Sequence, residues 1–159
     1  MFADYVENLL IKLFNTKVNR NYRKSIVNLQ ISRINLVKFL QSLGLKKGNK
    51  IRQQVDIPQW IKNDRDFSIA CVRGLVDTDG CVYKHSYYVN KKLYQYKKLA
   101  FSTKSNPLRK SVTKIMQKNK LNPKIDCKGD IRLYNINDVN RYLEVFKSNN
   151  PKHLNRFYN

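Results

Sequence analysis

Apolar and polar positions follow two periods along this chain, and the switches between those periods predict its elements. Residues 3–14 read as a helix with Tyr5, Leu9, Leu10, Ile11 and Phe14 apolar. Asn15–Ser32 reads as a hairpin whose second strand turns Val27, Leu29 and Ile31 inward and Asn28, Gln30 and Ser32 outward. Ile34–Leu43 returns to helical spacing, closed by Gly44, and a connector over Leu45–Trp60 carries Gly48 and Pro58. A longer apolar helix is predicted after Asn63 or Asp64 as N-cap, ending at Gly80. Two strands, at 81–90 and 93–104, lead to a helix opened by Pro107 in its first turn. A hairpin turning at Lys128-Gly129-Asp130, a helix over 138–147 and a tail over 149–159 complete an α+β pattern.

The long helix ends against electrostatics. Asp77 and Asp79 stand where the helix dipole is negative, so each carboxylate is unfavourable there unless positive charge or donors offset it. A divalent cation is one such partner, because hard cations choose carboxylate and carbonyl oxygens. A solvated D-x-D-G turn is the plain alternative. An EF-hand loop starting at Asp77 fails, since glycine arrives too early and Tyr88 replaces the bidentate glutamate. Ala70, Gly74 and Thr78, four residues apart, make one stripe of small side chains along which two helices can approach closely.

Val72–Gly80, VRGLVDTDG, resembles the motif of the LAGLIDADG homing endonucleases. Gly74, Asp77, Asp79 and Gly80 agree outright, Leu75 and Val76 are apolar as the motif requires, and Arg73 replaces its alanine. The resemblance implies an αββαββα fold with a saddle-shaped antiparallel sheet, complete over residues 63–159. Residues 1–62 are similar to the later part of a second such domain, lacking the motif helix and first two strands. A modest internal repeat supports this, with Ile34–Lys50 running parallel to Val139–Lys152.

Composition narrows the partners independently. Thirty-two Lys and Arg against eleven Asp and Glu give a formal net charge of +21, spread from Lys12 to Arg156, which calls for a polyanion. A 42% hydrophobic content with ten tyrosines and seven phenylalanines is enough for a core, so disorder is excluded. A ribosomal or structural RNA-binding protein shares this balance, but has no use for paired carboxylates in a basic surface. No signal peptide or long apolar run is present, which predicts an intracellular chain that neither enters nor crosses a membrane. Cys71, Cys81 and Cys127 show no C-x-x-C spacing and read as reduced thiols in a reducing compartment, without a zinc site.

By the resemblance, Asp79 is the metal-binding carboxylate, helped by the backbone carbonyl of Thr78, while Asp77 either joins the metal or orients the helix end. The same resemblance places a basic residue after the last helix of each domain, met by Lys152 with Lys50 as its repeat partner, to polarise water or steady a phosphate. Ser105 in the metal's outer shell and Arg109 at the next helix start are further carry-overs. In so basic a chain, solvated surface charge is the plain reading of any one lysine.

Strand alternation supplies the DNA contacts. With Leu93, Leu99 and Phe101 on the core face, Tyr96, Lys98 and Ser102 face the other way. Tyr83, His85 and Tyr87 are their counterparts, joined by Lys128, Arg132 and Tyr134 from the last hairpin and Asn28 and Gln30 from the first. A one-residue slip would exchange every name. The expectation is therefore a Mg2+-dependent, site-specific double-strand DNA endonuclease of an intron or intein, with Mn2+ or Ca2+ able to substitute in binding. One motif per chain implies a homodimer joined through the 64–79 helix. The alternatives are a noncatalytic binder of the same fold, such as an intron maturase holding intron RNA or a DNA-binding regulator, and one half of a split endonuclease.

Overall fold

The computed structural model describes residues 2–24 and 26–159, so Met1 and Ser25, the latter within the predicted first hairpin, lie outside the described residues. The chain divides into two compact units, Met1–Lys47 and Gly48–Asn159. The boundary falls earlier than the predicted division at 62/63. The reason is local: Gln54 hydrogen-bonds Asn106 N–H and the Lys104 carbonyl, Ser105 Oγ donates to the Val55 carbonyl, and Ile57 enters the core of the second unit.

The first unit is a helix, a hairpin and a helix: α1 (Phe2–Phe14), β1 (Asn19–Arg23), β2 (Ile26–Gln30) and α2 (Ile34–Ser42). The β strands are antiparallel, with Arg20 opposite Leu29 and Asn21 opposite Asn28. Arg20 ties the hairpin to α1 through ion pairs with Asp4 and Glu7. Val27 and Leu29 are half-buried while Asn28 and Gln30 are exposed, as their alternation predicts. Neither helix has a buried residue, so Tyr5, Leu9, Ile11 and Phe39 remain exposed. Leu10 and Phe14, apolar in the same helix, are half-buried.

The second unit runs α3 (Gln59–Asn63), α4 (Arg65–Asp79), β3 (Gly80–Val89), β4 (Lys92–Phe101), α5 (Asn106–Lys118), β5 (Lys124–Ile125), β6 (Ile131–Leu133), α6 (Ile136–Val145) and α7 (Pro151–Tyr158). Asp64 caps α4, its side chain accepting the Phe67 N–H at 2.8 Å. The sheet order is β3-β4-β6-β5, antiparallel throughout. Val72 and Val76 of α4, Val112, Ile115 and Met116 of α5, and Val139, Tyr142 and Phe146 of α6 pack against Val82, Leu99, Phe101, Ile131 and Leu133 of the sheet. These helices therefore cover one face and leave the other open. Each fully buried aliphatic chain there stabilises by about 1.5–3 kcal/mol.

Two differences from the pattern matter. Residues expected as a tail form α7, because Asn150 caps it through Lys152 N–H and Pro151 starts it. Leu93, expected on the core face, is 44% exposed. The β3/β4 hairpin extends well past β6, which meets β4 only at Leu99, Ala100 and Phe101, so no core reaches Leu93. Asn90 and Lys91, both left-handed, make the tight reversal at its tip.

Candidate functional site

The two aspartates that end α4 meet different surroundings. Asp77 is 3% exposed and turned inward. Its Oδ1 accepts the Ser148 hydroxyl at 2.6 Å, its Oδ2 accepts the Asn149 N–H at 2.9 Å, and Asn150 Nδ2 donates to its carbonyl at 2.8 Å. His153 places Nδ1 3.7 Å from Oδ1 and Nε2 3.2 Å from the Gly80 carbonyl. Burial pushes this carboxyl up, but the contacts from His153, Ser148 and Asn149 outweigh it and hold the group below the ordinary carboxylate range. Asp77, expected as a metal ligand or as an orienting group, has both carboxylate oxygens engaged by these donors.

Asp79 is exposed, and its side chain makes no hydrogen bond or ion pair among the described residues. It is the free carboxylate at the negative end of α4. Gly80 sets the exit from the helix: a Cβ there would lie 2.5 Å from the Val76 carbonyl oxygen, so only glycine lets the chain pass directly from α4 into β3. Thr78 is exposed, its hydroxyl donating back to the Gly74 and Leu75 carbonyls. Arg73, the motif's departure from alanine, donates to the Phe146 carbonyl at the carboxyl end of α6.

The predicted basic and polar residues separate. Lys152 is exposed in the first turn of α7, and its neighbour His153 contacts Gly80, the residue after Asp79. Lys152 thus belongs to the same end of the sheet as Asp79. Lys50 is exposed in the 49–54 turn. Ser105, expected near a metal, is instead 3% exposed and serves as the N-cap of α5 while donating to Val55. Arg109 binds Asn106 Oδ1 and the Thr103 carbonyl, and its guanidinium lies against Gly129. Both Ser105 and Arg109 brace loops.

The open sheet face collects most of the predicted contact residues. Tyr83 pairs with Lys98, His85 with Tyr96 and Tyr87 with Tyr94, while Arg132 stands opposite Ala100. All are on one side by strand alternation. Lys98 Nζ sits 5.2 Å from the Tyr134 ring centre. Arg132 is held in place by Asp126 at 2.7 Å, Asp130 at 3.4 Å and the Tyr83 hydroxyl at 3.2 Å. Ser102 is exposed just beyond β4, and Lys128 is exposed at the hairpin turn, where its N–H and that of Asp130 bind Asp126. Asn28 and Gln30 lie in the first unit, on the two-stranded sheet of β1 and β2. The acids that orient Arg132 were not among the residues expected from sequence, although D-C-K-G-D around a turn glycine is a readable Asx-turn signal.

Along α4, Ala70, Gly74 and Thr78 are exposed together, a Cβ at Gly74 would meet nothing within 4 Å, and Phe67 packs edge-on to Trp60. The small-residue stripe is thus an open helix face. No cluster of three or more His, Cys, Asp or Glu able to hold a metal occurs among the described residues, where Cys71, Cys81 and Cys127 are all free thiols. No helix among the described residues is long and apolar enough to cross a membrane. No protein-family model matches the chain, and neither does any curated protein.

Proposed function

We propose that this chain is a LAGLIDADG-type homing endonuclease, cleaving both strands of duplex DNA at a specific site as a homodimer joined through α4. The observation that carries this reading is the division of labour at the end of α4: Asp77 is locked to Ser148, Asn149 and His153, whereas Asp79 is exposed and free beside a basic, aromatic sheet face. The element order α4-β3-β4-α5-β5-β6-α6 and the open stripe at Ala70, Gly74 and Thr78 support it.

One chain offers a metal only one free motif carboxylate, so the donor set fits Mg2+ when two α4 helices lie side by side and two Asp79 carboxylates meet. Bound there, Mg2+ would supply Lewis-acid activation of the phosphodiester and of water. Asp79 supplies charge and oxygen donors, Lys152 supplies a cation at the same end of the sheet, and Lys98 with the rest of the open face holds the duplex backbone. The +21 charge brings the polyanion in.

A noncatalytic binder of the same fold, or half of a split endonuclease, is the second reading. It is favoured by the first unit, which holds only helix, hairpin and helix. Cleavage of a randomised duplex library in Mg2+, compared with the Asp79→Asn variant, separates the two. The endonuclease loses cleavage on substitution and keeps DNA affinity; a chain that binds duplex DNA as a dimer yet cuts no library member sinks the first reading. Light scattering with Gly74→Leu, expected to give a monomer, tests the α4 interface.

A further inference from the structure

The second helix of the first unit begins without a side-chain cap. α2 takes Arg33 as its N-cap, makes no side-chain capping bond there and has no acid in its first turn. A guanidinium cannot accept a hydrogen bond, and its charge meets the positive end of the helix dipole. The N–H groups of Ile34, Asn35 and Leu36 have no partner inside a helix that starts at Ile34. By contrast, Asp64, Ser105, Asn135 and Asn150 cap α4, α5, α6 and α7 with their side chains.

A second observation comes from another segment. Thr16 is 9% exposed, and its hydroxyl has no hydrogen-bond partner among the described residues. Together with Ser32, Arg33, Asn35 and the rings of Phe14 and Phe39, it lines a cavity of about 490 Å3 at the start of α2. A buried hydroxyl without a partner is costly, so an acceptor in that cavity would relieve it. No acidic residue lines the cavity. The carboxyl end of α1 reaches it at Phe14, where Lys12 in the last turn offsets the negative dipole. The helix N–H groups, the guanidinium and the hydroxyl all donate, which complements a phosphate dianion. The volume and the two rings leave room for an apolar body of small-molecule size.

We propose that this cavity binds a small phosphate monoester carrying an aromatic or apolar body, with the phosphate on the α2 N-terminus, Arg33 and Thr16 and the body against Phe14 and Phe39. A backbone phosphodiester carries one charge and substituents on two sides; the donor set and the adjoining apolar walls favour the monoester. The site uses neither Asp79, the open sheet face nor a second copy of α4, so it stands or falls apart from the endonuclease reading.

The test is a titration of the full, isotope-labelled chain with phenyl phosphate at moderate salt, followed by backbone amide NMR. The largest shifts are expected at Ile34, Asn35 and Leu36, and inorganic phosphate is expected to bind the same amides more weakly. Thr16→Val, which keeps the shape and removes the hydroxyl, and Arg33→Asn, which gives α2 a cap of its own, should each weaken phenyl phosphate by roughly tenfold or more. Arg33→Asn should also raise the melting temperature of the unliganded chain, which separates lost binding from lost folding. Shifts spread over the basic surface with no maximum at α2, or full affinity in either variant, would overturn the site. Equal affinity for inorganic phosphate would overturn the apolar body. Displacement of phenyl phosphate from these amides by an oligonucleotide without terminal phosphates would overturn the monoester in favour of a nucleic-acid backbone.

Discussion

Ser148 donates its hydroxyl hydrogen to the Asp77 carboxylate across 2.6 Å and 71 positions of sequence, joining the end of the motif helix to the turn before α7. That bond, with those from Asn149 and Asn150, offsets a carboxylate and a carbonyl stranded at the helix C-terminus. It also leaves Asp79 as the one motif acid facing solvent.

Asp77→Ala should therefore be costly. It strands Ser148, the Asn149 N–H and His153 in a buried site, and a loss of about 3 kcal/mol is expected. Urea denaturation measures it, and Ser148→Ala should lose about 1 kcal/mol. A near-neutral Asp77→Ala would refute the hub.

Acid should act through the same group. The Asp77 carboxyl is held below its unfolded value, so the unfolded chain binds its proton first as pH falls. Its contribution is complete at neutral pH and drains away from about pH 5 down through the folded value. Asp56 and Asp126, also depressed, add to the same acid limb. Stability profiles should show a shallower acid limb in Asp77→Asn than in the parent.

The two motif glycines should respond oppositely to alanine. At Gly80 the new methyl meets the Val76 carbonyl at 2.5 Å and the helix-to-strand passage must shift, so a destabilisation of about 2 kcal/mol is expected. At Gly74 it meets nothing, and the helix gains up to about 1 kcal/mol of propensity. Thermal melts under conditions that keep the chain monomeric distinguish them.

Arg132 is neutralised by the chain's own acids. Asp126→Asn should release the guanidinium and remove a negative charge from the open face, raising nonspecific duplex affinity severalfold and steepening its salt dependence. Lys98→Ala should do the reverse, lowering the slope of log affinity against log salt by about one. Anisotropy titrations at several salt concentrations measure both. Unchanged slopes would mean that this face does not carry the duplex.

What the sequence revealed obeyed local rules. Helix and strand order came from period, and the shared side of Tyr83, His85, Tyr96, Lys98 and Arg132 from alternation, which the pairing of Tyr83 with Lys98 and His85 with Tyr96 preserves. What it concealed depended on distant partners. Nothing near Asp77 distinguishes it from Asp79, because its donors lie beyond residue 147. Ser105 looked functional from its position, yet its role is set by Val55, in a segment read as a connector. The eight residues of α7 were too few for periodicity to register, although Asn150-Pro151 marked their start.

The unequal reach of the strands has a mechanical consequence. β3 and β4 pair from Gly80/Phe101 out to Val89/Lys92, but the third strand grips only the base of that ribbon. The hairpin is a cantilever, clamped beside Asp79 and compliant at Asn90 and Lys91, since a two-stranded ribbon without a third strand is only marginally stable. If the chain grips duplex DNA as proposed, a curved duplex would deflect the tip without displacing the clamped end, and the shape of that target would be absorbed far from the acid.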